Sequence, residues 1–480
     1  MNIWKKKTPE QMLEGVKKSG LKKNLKARDI AALGIGAVVG VGIFVATGEG
    51  AHMAGPAIII SFILAAVVAC LCGLSYSELA TMFPVAGSTY SYAYIAFGEI
   101  IAMIIGWCLT AEYLVACSAV ASGWSGTFLG ILKNIGISLP KYITASPAKG
   151  GIVDLPAILI IAVITTLLCY GMKESARLNN LMVGIKIFII LLFITLGFSH
   201  IDMANYRPFN PFGWKGIFAG TATIFFSYIG FDAVSTAAEE AENPKKDIPL
   251  GLIMCLATVS FLYISVAFVL TGMVPFKEII SENAVPGALA RVGINWGSAL
   301  IGTGAIIGMI STMLAVLYGQ VRVFMVMSRD GLIPKMFSKV HPEHKTPYIS
   351  TIITGTAAAI ISGFLPLDII VQFLSIGTLL GFIVVSLAVI TLRKTLPQFK
   401  RVFKCPGVPF TPIVTVISCI VLLLRLQLKT WIGFMVWLLI GLAVYFTYGR
   451  KHSLLQKNIN NSENLTDNTD IFEEDKEEAV

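Results

Sequence analysis

The stretch GIGAVVGVGIF, residues 34–44, places four glycines inside a long apolar run. Each glycine weakens a helix interior by about 1 kcal/mol relative to alanine. A dinucleotide fingerprint does not explain it, because Val39 stands where G-x-G-x-x-G requires its third glycine. Two explanations remain open. Gly36 and Gly40 form a G-x-x-x-G helix-packing motif, or a membrane helix is interrupted here, which requires protein or a watery cavity to cover the unwound backbone.

The surrounding composition favours a membrane protein. Of 480 residues, 55% are hydrophobic and only 14% are charged, and the mean hydropathy is +0.77. Soluble domains carry about 25% charged residues. Apolar runs of about 18 residues or more, each long enough to cross a bilayer core about 30 Å thick, recur from Ile30 to Tyr448. None alternates as a membrane β-barrel strand does, so the sequence predicts an all-α integral membrane protein.

The apolar runs predict twelve transmembrane helices, and the segment around residues 88–122 leaves open a count that differs by one. The third and eighth exceed one membrane thickness, which implies tilt or extension beyond the bilayer. The predicted spans are 30–50, 55–78, 88–122, 154–172, 180–199, 215–238, 249–273, 296–328, 347–364, 367–392, 409–427 and 430–449.

Basic residues predict the orientation. Nine lysines and arginines lie between Lys5 and Arg28, before the first span, and further clusters follow spans 8 and 10. An even number of spans separates these clusters, so they share one side, which the positive-inside rule marks as cytoplasmic. We therefore expect a multi-pass protein of the plasma membrane with both termini inside the cell. Residues 461–480 hold eight acidic residues and one lysine, and predict a disordered tail.

The same pattern excludes several functional classes. The basic excess is explained by membrane topology, so no nucleic-acid partner is expected. No soluble enzyme domain and no convergent nucleophile and base are present, so we do not expect an enzyme. The eight cysteines and five histidines have no metal-ligand spacing. No cofactor is expected beyond a coupling proton; whether a small membrane subunit binds is left open.

A second disrupted span strengthens the interruption hypothesis. Residues 222–244 read ATIFFSYIGFDAVSTAAEEAENP, with Gly230 in mid-span followed closely by Asp232, an acid that is costly in lipid. This span lies five spans after the first. Two disrupted helices at equivalent positions indicate an inverted-repeat transporter with substrate at the breaks. Freed N–H groups can receive a carboxylate and freed C=O groups an ammonium, which together recognise an α-amino acid.

Four segments carry a resemblance to a known family: GIGAVVGVGIFVATG at 34–48, FPVAGSTYSYAY at 83–94, FFSYIGFDAVSTAAEEAENPKKDIPLG at 225–251 and RDGLIP at 329–334. The sequence resembles a bacterial member of the amino acid–polyamine–organocation (APC) superfamily, close to the cationic amino acid transporter branch. The resemblance implies a LeuT-like five-plus-five inverted repeat with broken helices 1 and 6. Its parts would be a basic N-terminal segment (1–29), two repeats (30–199 and 200–392), two peripheral helices (393–449) and the acidic tail (450–480).

The resemblance also implies a substrate site. Backbone groups that would meet the substrate carboxylate belong to Val38, Val39, Gly40, Val41 and Gly42. Carbonyls that would meet the amino group belong to Phe226, Ser227 and Ile229. Side chains that would line the pocket are Phe231, Tyr113, Ala116 and Cys117. Many relatives have a hydroxyl residue where this chain has Val41, so we expect one side-chain contact fewer and a more apolar pocket.

Three charged residues lie inside predicted spans. Lys186 lies about 9 Å along its helix from Asn180, so its amine either snorkels to the interface or couples transport to protons. Proton-coupled members of the resembled family carry a lysine at this position, and Ser311 and Thr312 match residues near their cation site. Glu112 and Asp232 each have a structural and a titrating interpretation, which the sequence leaves open.

The predicted function is import of L-amino acids, by proton symport with alternating access. The alternatives are amino-acid exchange without proton coupling and a transporter-like receptor that binds without translocating. The branch resemblance suggests cationic substrates. Val41, Phe226 and Phe231 favour neutral apolar side chains, so we expect broad neutral amino acids and leave cationic ones open.

Overall fold

The computed structural model describes residues 4–12, 25–40, 42–85, 87–134, 136–169, 176–280, 283–339, 341 and 346–456. Within these ranges the chain is helical and contains no strand, only isolated bridges between Leu25 and Ala241 and between Thr144 and Asp154. Seven helical stretches of this described part are long and apolar enough to cross a membrane, and three shorter apolar helices accompany them. The all-α prediction is confirmed. Val41 and the acidic tail beyond residue 456 lie outside the described residues.

In the described residues, the first half of the chain forms helices α1 to α7, and a π-helical turn separates α1 from α2. They are α1 (Ala27–Val38), the π turn (Gly42–Ala46), α2 (Thr47–Ala54), α3 (Ile58–Met82), α4 (Ser88–Phe97), α5 (Glu99–Asn134), α6 (Leu155–Cys169) and α7 (Ala176–Phe198).

The second half continues the helical pattern. Its helices are α8 (Gly213–Ile224), α9 (Ala233–Thr236), α10 (Pro244–Met273), α11 (Ala284–Arg291), α12 (Asn295–Arg329), α13 (Tyr348–Phe364), α14 (Leu367–Thr395), α15 (Phe410–Leu423), α16 (Leu428–Val444) and α17 (Arg450–His452).

The predicted third span, 88–122, was wrong as one continuous helix. It is divided into α4 and α5 at Gly98, whose φ of 100° favours glycine. A Cβ on Gly98 would lie 2.5 Å from the Trp4 carbonyl oxygen, and the Glu99 amide donates to the Lys5 carbonyl at 3.0 Å. The N-terminal segment therefore packs into the turn. α5 then runs to Asn134, well beyond the predicted end.

Packing of the long helices creates the centre of the molecule. α5 packs against α12 and α14, while α10 packs against α1 and α3. In lipid, every backbone polar group needs an internal partner, which continuous helices supply automatically. Where α1 and α8 stop being helical, other groups must therefore supply the hydrogen-bond partners of the backbone.

Both described terminal segments pack at the same end of α5. The fully buried Glu99 accepts hydrogen bonds from Tyr445 (2.9 Å) and Ser453 (2.5 Å), which anchor the C-terminal segment. Near it, Lys7 of the N-terminal segment donates to Asp330 at 2.6 Å. One end of the helical bundle is thus closed by both ends of the described chain.

A buried ion cluster joins the end of α3 to the end of α14. Glu78, 1% exposed, is bound by Arg393 through two hydrogen bonds, of 3.0 and 2.7 Å, and by Arg401 at 3.2 Å. The Cys405 amide also donates to Glu78, at 2.7 Å. Removing one partner of a buried pair typically costs about 3–5 kcal/mol, so this cluster fixes the two helix ends to each other.

Candidate substrate and coupling site

The first helix is interrupted inside the glycine-rich stretch. α1 ends at Val38, and Val39 leaves helical geometry with φ −76° and ψ 95°. The chain resumes helical structure in the π turn that begins at Gly42. Such π-helical turns are rare and often lie at functional sites. The structure therefore places the first break where the glycines predicted it.

The second break lies between α8 and α9. After Ile224 the chain tightens into a 3₁₀ turn, Phe225–Tyr228, and Ile229 is extended with φ −66° and ψ 142°. Gly230 follows with φ 108°, a left-handed conformation in which a Cβ is strained. The mid-span glycine of the second disrupted segment thus marks an actual change in backbone direction.

The two breaks touch each other. A Cβ on Gly42 would lie 2.6 Å from the Cβ of Ser227, and a Cβ on Gly230 would lie 3.2 Å from the carbonyl carbon of Ala37. Real Cβ atoms essentially never approach another atom as closely as the first of these. Glycine at these two positions lets the unwound backbones approach side by side.

The amine of Lys186 binds the first break. Lys186 is fully buried, and its Nζ donates to the Gly36 carbonyl at 2.7 Å and to the Thr312 hydroxyl at 2.9 Å. The Thr312 oxygen also lies 3.1 Å from the Gly36 carbonyl and 3.2 Å from that of Val39. This position is incompatible with snorkelling to the interface. Ser311 instead donates to Gly308 of its own helix, at 3.0 Å.

Tyr263 connects the two breaks and was missed by the sequence analysis. Its hydroxyl lies 3.0 Å from the Val38 carbonyl and 2.9 Å from the Ser227 carbonyl, and its side chain is fully buried in α10. A buried tyrosine hydroxyl usually needs a partner. The one available signal was therefore a phenol in the middle of an apolar span, and that signal does not identify which helix it meets.

A small cavity of about 40 Å³ lies between the breaks. It is mostly apolar, and among the described residues that line it none is acidic. Nine of the predicted site residues line it: Val38, Gly40, Gly42, Tyr113, Ala116, Phe226, Ser227, Ile229 and Thr312. Lining residues that were not predicted from the sequence include Ala119, Val120, Val316 and Leu374.

The polar groups of the second break differ from the expectation. The Phe226 carbonyl accepts the Ile229 amide at 3.0 Å, and the Ser227 carbonyl accepts Tyr263, so both already have a protein partner. The Ser227 hydroxyl, by contrast, is buried and has no hydrogen-bond partner.

Three of the predicted substrate-binding residues that the structure describes lie outside the cavity lining. Val39 and Cys117 are buried but are not among the lining residues. Phe231 is also absent from the lining, and its ring packs 5.7 Å from that of Tyr76 and 5.0 Å from that of Phe382. Phe231 directly follows Gly230, whose left-handed conformation changes the direction of the chain. Val41 lies outside the described residues.

The two buried carboxyl groups flank the cavity without lining it. Asp232 accepts a hydrogen bond from Tyr113, which does line the cavity, at 2.8 Å, and makes no side-chain cap to α9. Glu112 is 2% exposed, and its Oε1 has no hydrogen-bond partner. Asp232 is therefore connected to the cavity by its hydrogen bond with Tyr113.

Comparison with known proteins identifies the class. The amino acid permease family model matches residues 25–449. The chain belongs to this family, within the APC superfamily. It is a multi-pass membrane transporter and not an enzyme.

Particular relatives cover nearly the whole chain. The branched-chain amino acid permease BcaP of Bacillus subtilis (strain 168) is 46% identical over 462 residues, which are 95% of this chain and 99% of that protein. The methylthioribose transporter of the same strain is 46% identical over 459 residues, 95% of this chain and all of that protein. The vacuolar cationic amino acid transporter 4 of Arabidopsis thaliana is 30% identical over 559 aligned positions, 91% of this chain and 93% of that protein.

Proposed function

We propose that the protein imports neutral apolar L-amino acids across the plasma membrane by proton symport. The observation that carries this proposal is the Lys186 ammonium, buried and bound to Gly36 at the first break. While protonated, the amine holds α1 to α7 and α12, which favours a substrate-receptive outward-facing state. When the amine loses its proton to the cell interior, these bonds weaken and the substrate is released.

The proposal includes the twelve-span, five-plus-five inverted repeat. The repeats are residues 30–199 and 200–392, with 393–449 peripheral. The contact between Gly42 and Ser227 supports this arrangement, because it brings together two broken helices that lie in corresponding positions of the two repeats. The shared location of both described terminal segments at one end of α5, together with the basic residues, supports cytoplasmic termini.

The cavity supports a neutral substrate. Its lining contains no acidic residue in the described chain, so a cationic side chain would be buried there without a counter-charge. The name of the branched-chain permease agrees with this preference. Methylthioribose, named for the second relative, has neither an ammonium nor a carboxylate for the two breaks to bind. We therefore place an apolar amino acid ahead of both cationic amino acids and thio-sugars.

Proteoliposomes test the coupling. With an acidic exterior, we expect wild-type protein to accumulate L-leucine above its equilibrium level. Lys186→Ala should lose at least about 90% of this accumulation while retaining counterflow, because the coupling amine is absent but the cavity remains. Lys429→Ala, which changes an exposed lysine of α16, should behave as wild type. Accumulation that still follows the pH gradient in Lys186→Ala would contradict the proposed role.

The same vesicles separate the alternatives. An exchanger shows counterflow in wild type but no pH-driven accumulation. A receptor binds L-leucine without raising vesicle uptake above that of protein-free liposomes. Competition with L-lysine and with methylthioribose then ranks the substrate classes: under the proposal, neither displaces L-leucine as well as L-isoleucine does.

A further inference from the structure

A fully buried glutamine lies one helical turn from the cavity between the two breaks, the central cavity. Gln320 of α12 is 0% exposed, and neither its amide nitrogen nor its amide oxygen has a hydrogen-bond partner among the described residues. All of α12 is described, and between Thr312 and Ser328 Gln320 is its only buried residue with a polar side chain. Buried polar groups are normally paired, so an amide with two unpaired atoms calls for a specific explanation, such as a functional role.

Gln320 lies on the cytoplasmic side of the central cavity. Val316 lines the cavity, and Gln320 follows one turn later on the same face of α12, about 6 Å along the helix axis. α12 continues in this direction to Arg329, and the next residue, Asp330, is bound by Lys7 of the N-terminal segment. In the topology proposed above, this direction leads to the cell interior.

The turn of α12 that carries Gln320 also packs against the wall of the central cavity. A Cβ on Gly319 would lie 3.6 Å from Cε1 of Tyr113, which lines the cavity and donates to Asp232. Gln320 therefore lies at the depth of the Tyr113 ring. A substrate that leaves the cavity towards the cell interior must pass this level of α12 before it reaches solvent.

The amide of Gln320 is complementary to both charged groups of an α-amino acid. Its Nε2 is a donor that suits the carboxylate, and its Oε1 is an acceptor that suits the ammonium. Hydrogen bonds to charged groups are stronger than those between neutral groups, so either contact would contribute measurably to binding. Because the amide is itself uncharged, it does not hold either group as an ion pair would, which suits a contact from which the substrate is released.

We infer that Gln320 is a substrate-binding residue of the inward-facing state, which contacts the α-amino acid on its way from the central cavity into the cell. This inference rests on the proposed function and adds to it a residue that does not line the central cavity. It predicts an effect at one face of the membrane only. The Gln320 contact contributes to substrate binding from the inside and not to binding from the outside.

The kinetics of L-leucine transport at each membrane face test this inference. Right-side-out and inverted vesicles from cells that express the full-length protein expose the outer and the inner face, and vesicles without the protein give the background. In Gln320→Leu, we expect the KM at the inner face to rise about tenfold, equivalent to about 1.4 kcal/mol, and the KM at the outer face to stay within about twofold of wild type. The Tm should not fall, because leucine replaces an amide that is unpaired in this packing.

Ser350→Ala is the matched control. Ser350 of α13 is also fully buried, its hydroxyl has no hydrogen-bond partner among the described residues, and it does not line the central cavity. The variant therefore reports the effect of removing an unpaired buried polar group away from the substrate route. We expect the KM at both faces and the Tm to match those of wild type.

The outcomes separate the two proposals. Wild-type uptake of L-leucine with an unchanged inner-face KM in Gln320→Leu would overturn the Gln320 contact and leave the transport proposal intact. Equal rises in KM at both faces together with a lower Tm would also overturn the contact, because they indicate a structural role. Absence of L-leucine uptake by the wild type would overturn the proposed function, and with it the contact. A rise in KM at the inner face alone would support both.

Discussion

At each of the two helix breaks a side chain binds a freed backbone carbonyl, and the two side chains differ in chemistry. At the first break, the Gly36 carbonyl is bound by an amine, that of Lys186, assisted by Thr312. At the second break, the Ser227 carbonyl is bound by a neutral phenol, that of Tyr263. Both breaks satisfy carbonyls that a continuous helix would have paired internally.

The difference assigns separate roles to the breaks. A bond from an ammonium weakens when its proton is lost, whereas a bond from a phenol is insensitive to pH over the physiological range. Under the proposed function, the first break would respond to a proton gradient through Lys186, and the second would not do so through Tyr263. Because Tyr263 also binds Val38, a change in the first break reaches the second through one hydroxyl.

The largest expected effect comes from pushing the breaks apart. In Gly42→Val, the new side chain would collide with Ser227, because a Cβ added at residue 42 would lie 2.6 Å from the Ser227 Cβ. Overpacking of this kind typically costs about 1–3 kcal/mol, and a displacement of about 1 Å can reduce activity about 100-fold. We expect L-leucine uptake to fall about 100-fold and the Tm to fall by several degrees.

The matched control for this variant is Gly184→Val. Gly184 is a glycine of α7 whose Cβ would have nothing within 4 Å. It tests the general cost of valine at a helical glycine of this protein. Equal losses of uptake in both variants would show that contact between the breaks is not what Gly42 provides.

A smaller effect is expected when the hydroxyl that joins the breaks is removed. Tyr263→Phe leaves the Val38 and Ser227 carbonyls without this donor, at a cost of about 1–3 kcal/mol. We expect the KM for L-leucine to rise about tenfold. At each pH gradient, L-leucine accumulation should be the same fraction of the wild-type value. Tyr206→Phe breaks one tyrosine–carbonyl bond of 2.7 Å outside the site and controls for the substitution. Loss of pH dependence in Tyr263→Phe alone would contradict the assignment of proton response to the first break.

The smallest effect is expected at the Ser227 side chain. Ser227→Ala keeps the carbonyl that binds Tyr263 and removes a hydroxyl that has no partner. We expect stability to change by less than about 0.5 kcal/mol and the KM to change less than about twofold. Uptake kinetics and a thermal unfolding scan measure both. A tenfold rise in KM without a change in Tm would show instead that the second break binds substrate through this hydroxyl.

The sequence predicted those parts of the site that produce local signals. Glycines in mid-span and an ionisable residue inside an apolar run are readable without knowing the fold, and they located both breaks and Lys186. Residues that were assigned to the site only by their position near a break do not all line the cavity. Ser227 and Ile229 line the cavity, whereas Phe231, two residues further on, packs into an aromatic cluster.

Other features left no local signal. The turn that divides the predicted third span at Gly98 is packed by the N-terminal segment, which is distant in the sequence. A cavity of about 220 Å³ near the end of α5 remote from Glu99 is lined by residues far apart in the chain, among them Ser122, Ser146 and Leu367. No window of sequence places these together.

By itself, then, the sequence determined that the chain is an all-helical membrane protein and where two of its helices fail, because hydropathy and glycine act on the backbone locally. The tertiary structure decided which groups satisfy the freed carbonyls and which side chains surround the cavities. When a helix is apolar on every face, its sequence does not indicate which face packs against the rest of the protein. Its rotation is set by packing against neighbouring helices, and this packing brings Lys186 to Gly36 and Tyr263 to both breaks.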